Sequence, residues 1–410
     1  MYAKSLTIYD FKCFQRAKLD LQYPGRKTAG SSVISNVNLI LGDNGGGKSS
    51  VLRALAIAVL APALQRSGFV PYRLVRRQVP GMPEVSHCLL KVIGKADSHE
   101  GALGLKNRIE LLARLDPPAR GNLDRIYLEY TPDSPVTPLL EDDFSPAFFV
   151  VGYGATRRVE TGDYSESSAR RSRGLRYQRI AGLFEDHVAL RPLTTWLSRL
   201  KPGSRRFAEA VSLLNEVLPN DIAFSGAFLP EDEQYLFDFE GAPTPFNSLS
   251  DGYKAFIGWV GDLIGHLADV ASQDEPLNSI NGIVLVDEID LHLHPSWQRQ
   301  VVQLLSKTFP RLQFVFTSHS PLVATSVKRE NIFITDRAEN GTATISQIAE
   351  HAFGQSVEQM LLSSYFGLTT TRPESFEQES QSLFKRVADG DSGAALEFLK
   401  RVTSPSRSAG

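Results

Sequence analysis

Cysteine is nearly absent: 410 residues carry two, Cys13 and Cys88, in separate segments. They form neither a CxxC nor a His/Cys metal spacing, which argues against a disulfide framework and for a reducing cytosol. An excess of charge is lacking too, with 44 basic against 46 acidic residues. Bulk charge therefore gives no argument for nucleic acid, and any such surface must be local. Long hydrophobic runs are missing. The most apolar stretch, Val51 to Leu64, carries Arg53 and is interrupted by Pro62, too short and broken to span a bilayer. The opening MYAKSLTIYDFKCF has no apolar core or small-residue cleavage site of a signal peptide. Internal repeats and sustained heptads are absent, which excludes a long coiled-coil arm. The expectation is a soluble cytoplasmic protein without a membrane partner, long enough to bury its core without staples.

What is present alternates between two periods. SLTIYDFKCF and AKLDL read as antiparallel strands, as do HCLLKVIG, RIELLARLD and RIYLEYTPD. Val37 to Leu41 is an apolar strand leading into a Gly-rich turn and a helix, and Phe148 to Ala155 is a further buried strand. Thr156 to Arg179 is polar and reads as a mobile loop. Helical periodicity follows from Ile180 to Val217, then a strand pair around AFSGAFL and YLFDFEG. In the next helix Phe256, Trp259, Val260, Leu263, Ile264 and Leu267 share one face. GIVLVDEID and LQFVFTSHS are buried strands separated by the helix SWQRQVVQLLSKTF. This alternation predicts an α/β fold with a parallel sheet flanked by helices. Two or three helices make up the tail, and the last residues, TSPSRSAG, read as disordered.

Four motifs carry chemistry. In Gly42-x-x-x-x-Gly47-Lys48-Ser49 the glycines let successive backbone N–H groups turn toward phosphate oxygens. Lys48 would reach the β- and γ-phosphates, Ser49 would ligate Mg2+, and the following helix points its positive end at the anion. Asn44, Gly45, Gly46 and Ser50 complete this cradle. Second, an apolar strand ends in Asp287 and Glu288; adjacent carboxylates there are costly unless a cation is bound. Asp287 would hold the metal shell, and Glu288 would orient or deprotonate the attacking water. Third, Ser250, Asp251 and Gly252 begin a helix, either as a plain N-cap or as a second anion site supplied to another copy of the chain. Fourth, His319 follows a buried strand as a candidate sensor of the γ-phosphate.

These motifs, in this order, resemble those of an ABC-type ATPase. Gly42 to Ser49 matches the Walker A motif, LSDGY the signature, IVLVDE the Walker B motif, Asp290 the D-loop and His319 the switch histidine. The resemblance implies a mixed sheet with an antiparallel β subdomain, a P-loop core sheet, an inserted helical lobe and C-terminal helices. It also implies ATP and Mg2+ as cofactors and a homodimer, possibly a higher assembly. Lys12, in the IYDFKCF start, is counted with the nucleotide-binding residues. The motif with Asn44, that start and DEIDLHLHP resemble the SMC/RecF/OLD branch. Within it, the VGYGATRR strand and the tail are similar to stand-alone ATPases of phage-defence systems, such as the PtuA component of Septu and of certain retrons. The signature departs from transporters at Asp251 for Gly and Tyr253 for Gln, which leaves Ser250 and Gly252 matching. No Q-loop glutamine is found, and Gly152 to Arg158 occupies that place.

On this reading residues 1–335 form the ATPase domain: 1–155 with Walker A, 156–275 with the Arg-rich loop and signature, and 276–335 with Walker B and the histidine. Residues 336–403 form a helical extension and 404–410 a disordered tail. Asp389-Gly390-Asp391 has the spelling of a nuclease DxD but lies between helical patterns and reads as a turn. The arginine-dense stretch from Arg157 to Arg179, with Arg157, Arg158, Arg170, Arg171 and Arg173 and with Tyr164 and Tyr177 interleaved, forms either a solvated loop or a surface for DNA, RNA or an acidic partner. Arg73, Arg76 and Arg77 repeat the ambiguity. His292 and His294 find no third metal ligand. Three functions remain: the switch subunit of an anti-phage system controlling a separate nuclease or toxin, a RecF-like DNA-repair ATPase, and a transporter ATPase, which the SMC-like start disfavours.

Overall fold

Alternating side chains build one half of the fold. In β1 (Tyr2–Phe11) and β2 (Phe14–Asp20), Leu6, Ile8, Phe14, Ala17 and Leu19 are buried while the residues between them are more exposed. The two strands pair antiparallel with Ile8 opposite Ala17. β3 (Val37–Gly42) is instead buried along all but its last residue, as a central parallel strand requires. β4 (Cys88–Lys95), β5 (Arg108–Asp116) and β6 (Arg125–Leu128) continue the antiparallel half. These positions come from a computed structural model that describes residues 1–27, 33–77, 85–128, 136–159 and 173–403.

The parallel half adds β7 (Val150–Tyr153). β8 (Ile222–Leu229), β9 (Gln234–Phe239) and β10 (Ala242–Pro245) form a separate antiparallel sheet. β11 (Gly282–Val286) and β12 (Leu312–Thr317) are buried at every residue. β13 (Ile332–Arg337) and β14 (Ala343–Ser346) make a hairpin. The main sheet runs β6-β5-β4-β1-β2-β14-β13-β3-β12-β11-β7. In it β13, β3, β12, β11 and β7 are parallel neighbours, so their carboxyl ends share one edge. In an open α/β sheet that edge is where ligands bind.

Helix α1 (Lys48–Leu64) follows β3. Its apolar residues surround the whole helix, and Val51, Leu52, Leu55, Ile57 and Val59 are all buried, the pattern of a helix enclosed on every side. Pro62 does not end it; the helix continues to Leu64 because the proline sits in the last turn. The apolar face of the helix Asp251–Val270 is buried as its periodicity requires.

Three local expectations change. The helix expected across SWQRQVVQLLSKTF divides into Pro295–Gln298 and Val301–Thr308. The β13–β14 hairpin, turning at Asn340-Gly341 with Gly341 at φ 76°, brings residues beyond 335 into the main sheet. The chain accordingly divides into compact units at 1–357 and 358–410 rather than at 335. From Arg173 to Arg179 the expected polar loop is folded inward. Arg176 is buried and donates to the carbonyls of Leu139, Asp142, Ala147 and Phe148. Residues 404–410, expected to be disordered, lie outside the described residues.

Within the second unit, Asp389 to Asp391 turn between the helices Glu374–Ala388 and Ser392–Thr403. Asp391 pairs with Arg386 at 2.6 Å and accepts from the Ala394 amide, so it caps a helix. Among the described residues no helix is long and apolar enough to cross a membrane.

Candidate nucleotide-binding site

β3 ends at Gly42, and the loop that follows is shaped by its glycines. Gly47 has φ 100°, and a Cβ there would lie 2.7 Å from Cys13 Sγ and from the Phe14 ring. No other residue type fits this position. Gly47 is also the N-cap of α1, with no side-chain cap and no acid in the first turn. The helix therefore begins with uncapped N–H groups and its positive end free. Lys48 lies across the loop and donates to the carbonyls of Gly42 at 2.8 Å and Asp43 at 3.0 Å. Burial pushes its ammonium below the ordinary lysine value, against Asp287 and Glu288, whose charges raise it. Asn44 and Gly45 are exposed, Ser49 half-buried and Ser50 buried. Lys12, at φ 48°, is lowered by burial and by Arg53.

The parallel register sets the other groups at the same edge. Val286 lies opposite both Phe316 and Tyr153, and Thr317 opposite Ile40. Asp287, Glu288, Thr317 and His319 therefore follow the carboxyl ends of adjacent strands. Thr317 Oγ1 donates to Asp287 Oδ1 and accepts from the Glu288 amide at 2.7 Å. Glu288 has φ 50°, a left-handed conformation that a glutamate rarely adopts. Asp290 Oδ1 is buried with no hydrogen-bond partner among the described residues. His319 is half-buried between Ser318 and Ser320. Ser320 Oγ donates to Gln298 Oε1 at 2.6 Å, and Gln298 Nε2 reaches the carbonyls of Leu293 and Asp290, tying the two segments together.

The signature residues lie elsewhere on the surface. Ser250 occupies the N-cap position of Asp251–Val270, yet its exposed hydroxyl makes no capping bond. Asp251 pairs with Lys254 at 2.9 Å. Gly252 is needed for close approach, since a Cβ there would meet the His292 carbonyl at 2.5 Å. Ser250, Gly252, Tyr253, His292, His294 and Trp297 line a cleft of about 610 Å³ that includes none of the Gly42 to Ser50 residues.

Among the described residues, Arg157, Arg158 and Arg173 do not form one surface. Arg157 is buried and donates to the carbonyls of Asp287 and Glu288; burial lowers its guanidinium to about 10. Arg173 pairs with Glu185 at 2.8 Å, and Arg158 is exposed. Arg170, Arg171 and Tyr164 lie outside the described residues. Arg76 and Arg77 are held by Asp10 and Asp124, each at 2.8 Å, and Arg73 by Asn122.

Several site residues gave no local signal. Thr335 Oγ1 donates to the Leu41 carbonyl at 3.2 Å and Arg337 to the Gly45 carbonyl at 3.3 Å, so β13 supports the Gly-rich loop. The Asn340-Gly341 pair between the two strands was the available sign of that hairpin. Tyr153 accepts from the Asp287 amide at 2.8 Å through its carbonyl and donates its hydroxyl to Asp262 at 2.9 Å. Asp262 also receives the Arg191 amide and lies 3.3 Å from His266 Nε2. Burial opposes the charge on Asp262, yet His266, Arg191 and Tyr153 hold its carboxyl well below the usual range. Burial pushes His266 below the ordinary imidazole value, against Asp262, whose charge raises it.

Comparison with known proteins gives the family and the fold. The model of the family described as "AAA domain, putative AbiEii toxin, Type IV TA system" matches residues 37–325. The Septu protein PtuA of Bacillus mycoides (strain KBAB4) is 25% identical, over 91% of this chain and 46% of that protein. The "Retron Vc95 probable ATPase" of Vibrio cholerae serotype O1 biovar El Tor is 41% identical over 122 residues, 30% of this chain and 23% of that one. The chain thus spans less than half the length of these curated relatives. An SMC head solved bound to the C-terminal winged-helix domain of ScpA superposes with a TM-score of 0.51 at 14% identity, covering 85% of this chain and 98% of that one. The fold is that of an SMC-type ABC head, and the chain belongs to the AAA-domain family described above, as an ATPase-type domain related to defence-system proteins.

Proposed function

We propose that the chain binds Mg-ATP at Gly42 to Ser50, pairs with a second copy around two nucleotides, hydrolyses them, and serves as the switch subunit of an anti-phage defence system that controls a separate nuclease or toxin. The observation that carries this reading is the shared sheet edge. There an uncapped helix N-terminus and Lys48 stand beside Asp287, Glu288 and His319, while the uncapped Ser250 hydroxyl faces a different cleft. One chain has no second anion for Ser250; a second chain supplies one. The unpartnered Asp290 oxygen is a further group that a facing surface would satisfy.

In this reading the N–H groups of the loop and Lys48 hold the phosphates, with His319 beside the γ-phosphate. Ser49 and Asp287 are the hard oxygen donors that suit Mg2+, which when bound neutralises charge on the phosphates. Glu288 orients and deprotonates the attacking water, and Ser250 of the second copy closes the site. Binding closes the pair and hydrolysis opens it, which makes the protein a two-state switch. The relatives named for Septu and retron systems support the defence role. The test is to tag Glu288→Gln, express it in its native cell, and identify copurifying proteins by mass spectrometry. A nuclease, toxin or reverse transcriptase supports the switch; recombination proteins with DNA would replace it with a repair role.

A further inference from the structure

We infer that Arg157 is a positioning residue for Glu288, fixing the left-handed backbone that presents the Glu288 carboxylate. The functional meaning of this rests on the ATPase reading above.

At the end of β11 the N–H groups of three residues are taken by the two flanking strands. Asp287 donates to the Tyr153 carbonyl at 2.8 Å, Glu288 to Thr317 Oγ1 at 2.7 Å and Ile289 to the Thr317 carbonyl at 2.9 Å. The Asp287 carbonyl then needs a donor of its own, while the Glu288 carbonyl already accepts from the Leu291 amide at 3.0 Å. Arg157 Nη2 serves both, at 3.1 Å to Asp287 and closer to Glu288. Arg157 is only 8% exposed. A guanidinium withdrawn from water needs compensation, and here the acceptors are main-chain oxygens rather than a carboxylate. It occupies the place of a clamp.

The clamp also has an anchor. Arg157 lies four residues beyond Tyr153, whose hydroxyl is bonded to Asp262 in the helix that begins at the signature. Tyr153 and Arg157 therefore hold Asp287 through its opposite main-chain groups, N–H and C=O, while Tyr153 is fixed to that helix. This segment thus connects the signature helix to the main chain at Asp287 and Glu288.

The experiment compares the full-length wild type with Arg157→Gln and Arg157→Lys in three readouts: Mg-ATP affinity, single-turnover hydrolysis, and hydrogen exchange of the peptide spanning residues 286–293. Arg157→Gln should keep affinity within about 3-fold, slow hydrolysis by roughly 30-fold or more, and lose protection in that peptide. Arg157→Lys, which retains the positive charge and the long reach that Gln lacks, should recover part of both. Wild-type hydrolysis and unchanged exchange in a folded Arg157→Gln overturn the inference. So does an equal loss of affinity and hydrolysis with exchange unchanged, which would make Arg157 a nucleotide contact. A wild type that hydrolyses no ATP refutes the ATPase reading instead, and exchange alone then decides whether Arg157 positions Glu288.

Discussion

On the proposed function, Lys48 serves binding and Glu288 serves chemistry. Lys48 spends its donors on the carbonyls of Gly42 and Asp43, and phosphate oxygens would compete for them as charged acceptors. Lys48→Ala should weaken ATP binding by about 3 kcal/mol, roughly 100-fold, as read by titration with a fluorescent nucleotide; unchanged affinity would remove the phosphate-loop assignment. Glu288→Gln keeps the shape but not the base, so hydrolysis should fall by roughly 10²–10⁴ with binding retained, measured in a single turnover. A normal rate would mean that another group activates the water. Both residues were legible because a Gly-rich turn after an apolar strand, and two acids ending another, violate the ordinary rules of strand ends. Thr317 and Arg157 were not. A threonine closing a buried strand is unremarkable in one dimension, and an arginine among arginines reads as surface until its carbonyl partners, 130 residues away, are in place.

At the scale of elements, the helix Asp251–Val270 joins two demands. Its N-cap, Ser250, is exposed and makes no capping bond, and its middle is pinned to β7 by Asp262. Ser250→Arg should therefore leave monomer folding and ATP binding intact while preventing ATP-driven pairing, followed by light scattering; full pairing and activity would mean that the signature does not act across two copies. The same helix predicts a pH response. His266 is buried near Asp262, Asp269 and Arg191, with Arg179 also acting on it, and its folded value lies below that of the unfolded chain. Between those two values the unfolded chain binds the extra proton, so stability rises with pH there. The His266 contribution is whole above about pH 6.5 and is lost as pH falls below it, by up to about 1.4 kcal/mol per pH unit. Urea unfolding at pH 7.5 and 5.5 should show His266→Gln losing less stability than the wild type; equal losses would contradict the assignment. The amphipathic period made this helix and the core strands readable. The β13–β14 hairpin escaped because four-residue β14 offers little alternation, and the break between Gln298 and Val301 because a continuous apolar period hides a change of helix direction.

For the whole molecule, the order of strands explains why distant motifs become one site. β3, β12, β11 and β7 are adjacent and parallel, so the loops after them converge although 246 residues separate Gly42 from Glu288, counted as 288 − 42. That convergence was implied by the order of the motifs. The boundary between the two compact units was not, because the hairpin that moves it is closed by sheet pairing rather than by local composition. The central claim is that one chain carries an incomplete ATP site that a second copy completes. The most direct test is the mass of Glu288→Gln in solution by light scattering, with Mg-ATP, with Mg-ADP and without nucleotide. The account predicts a doubling of mass with Mg-ATP alone, abolished by adding Ser250→Arg. A mass indifferent to Mg-ATP, in protein shown to bind it, would contradict the account.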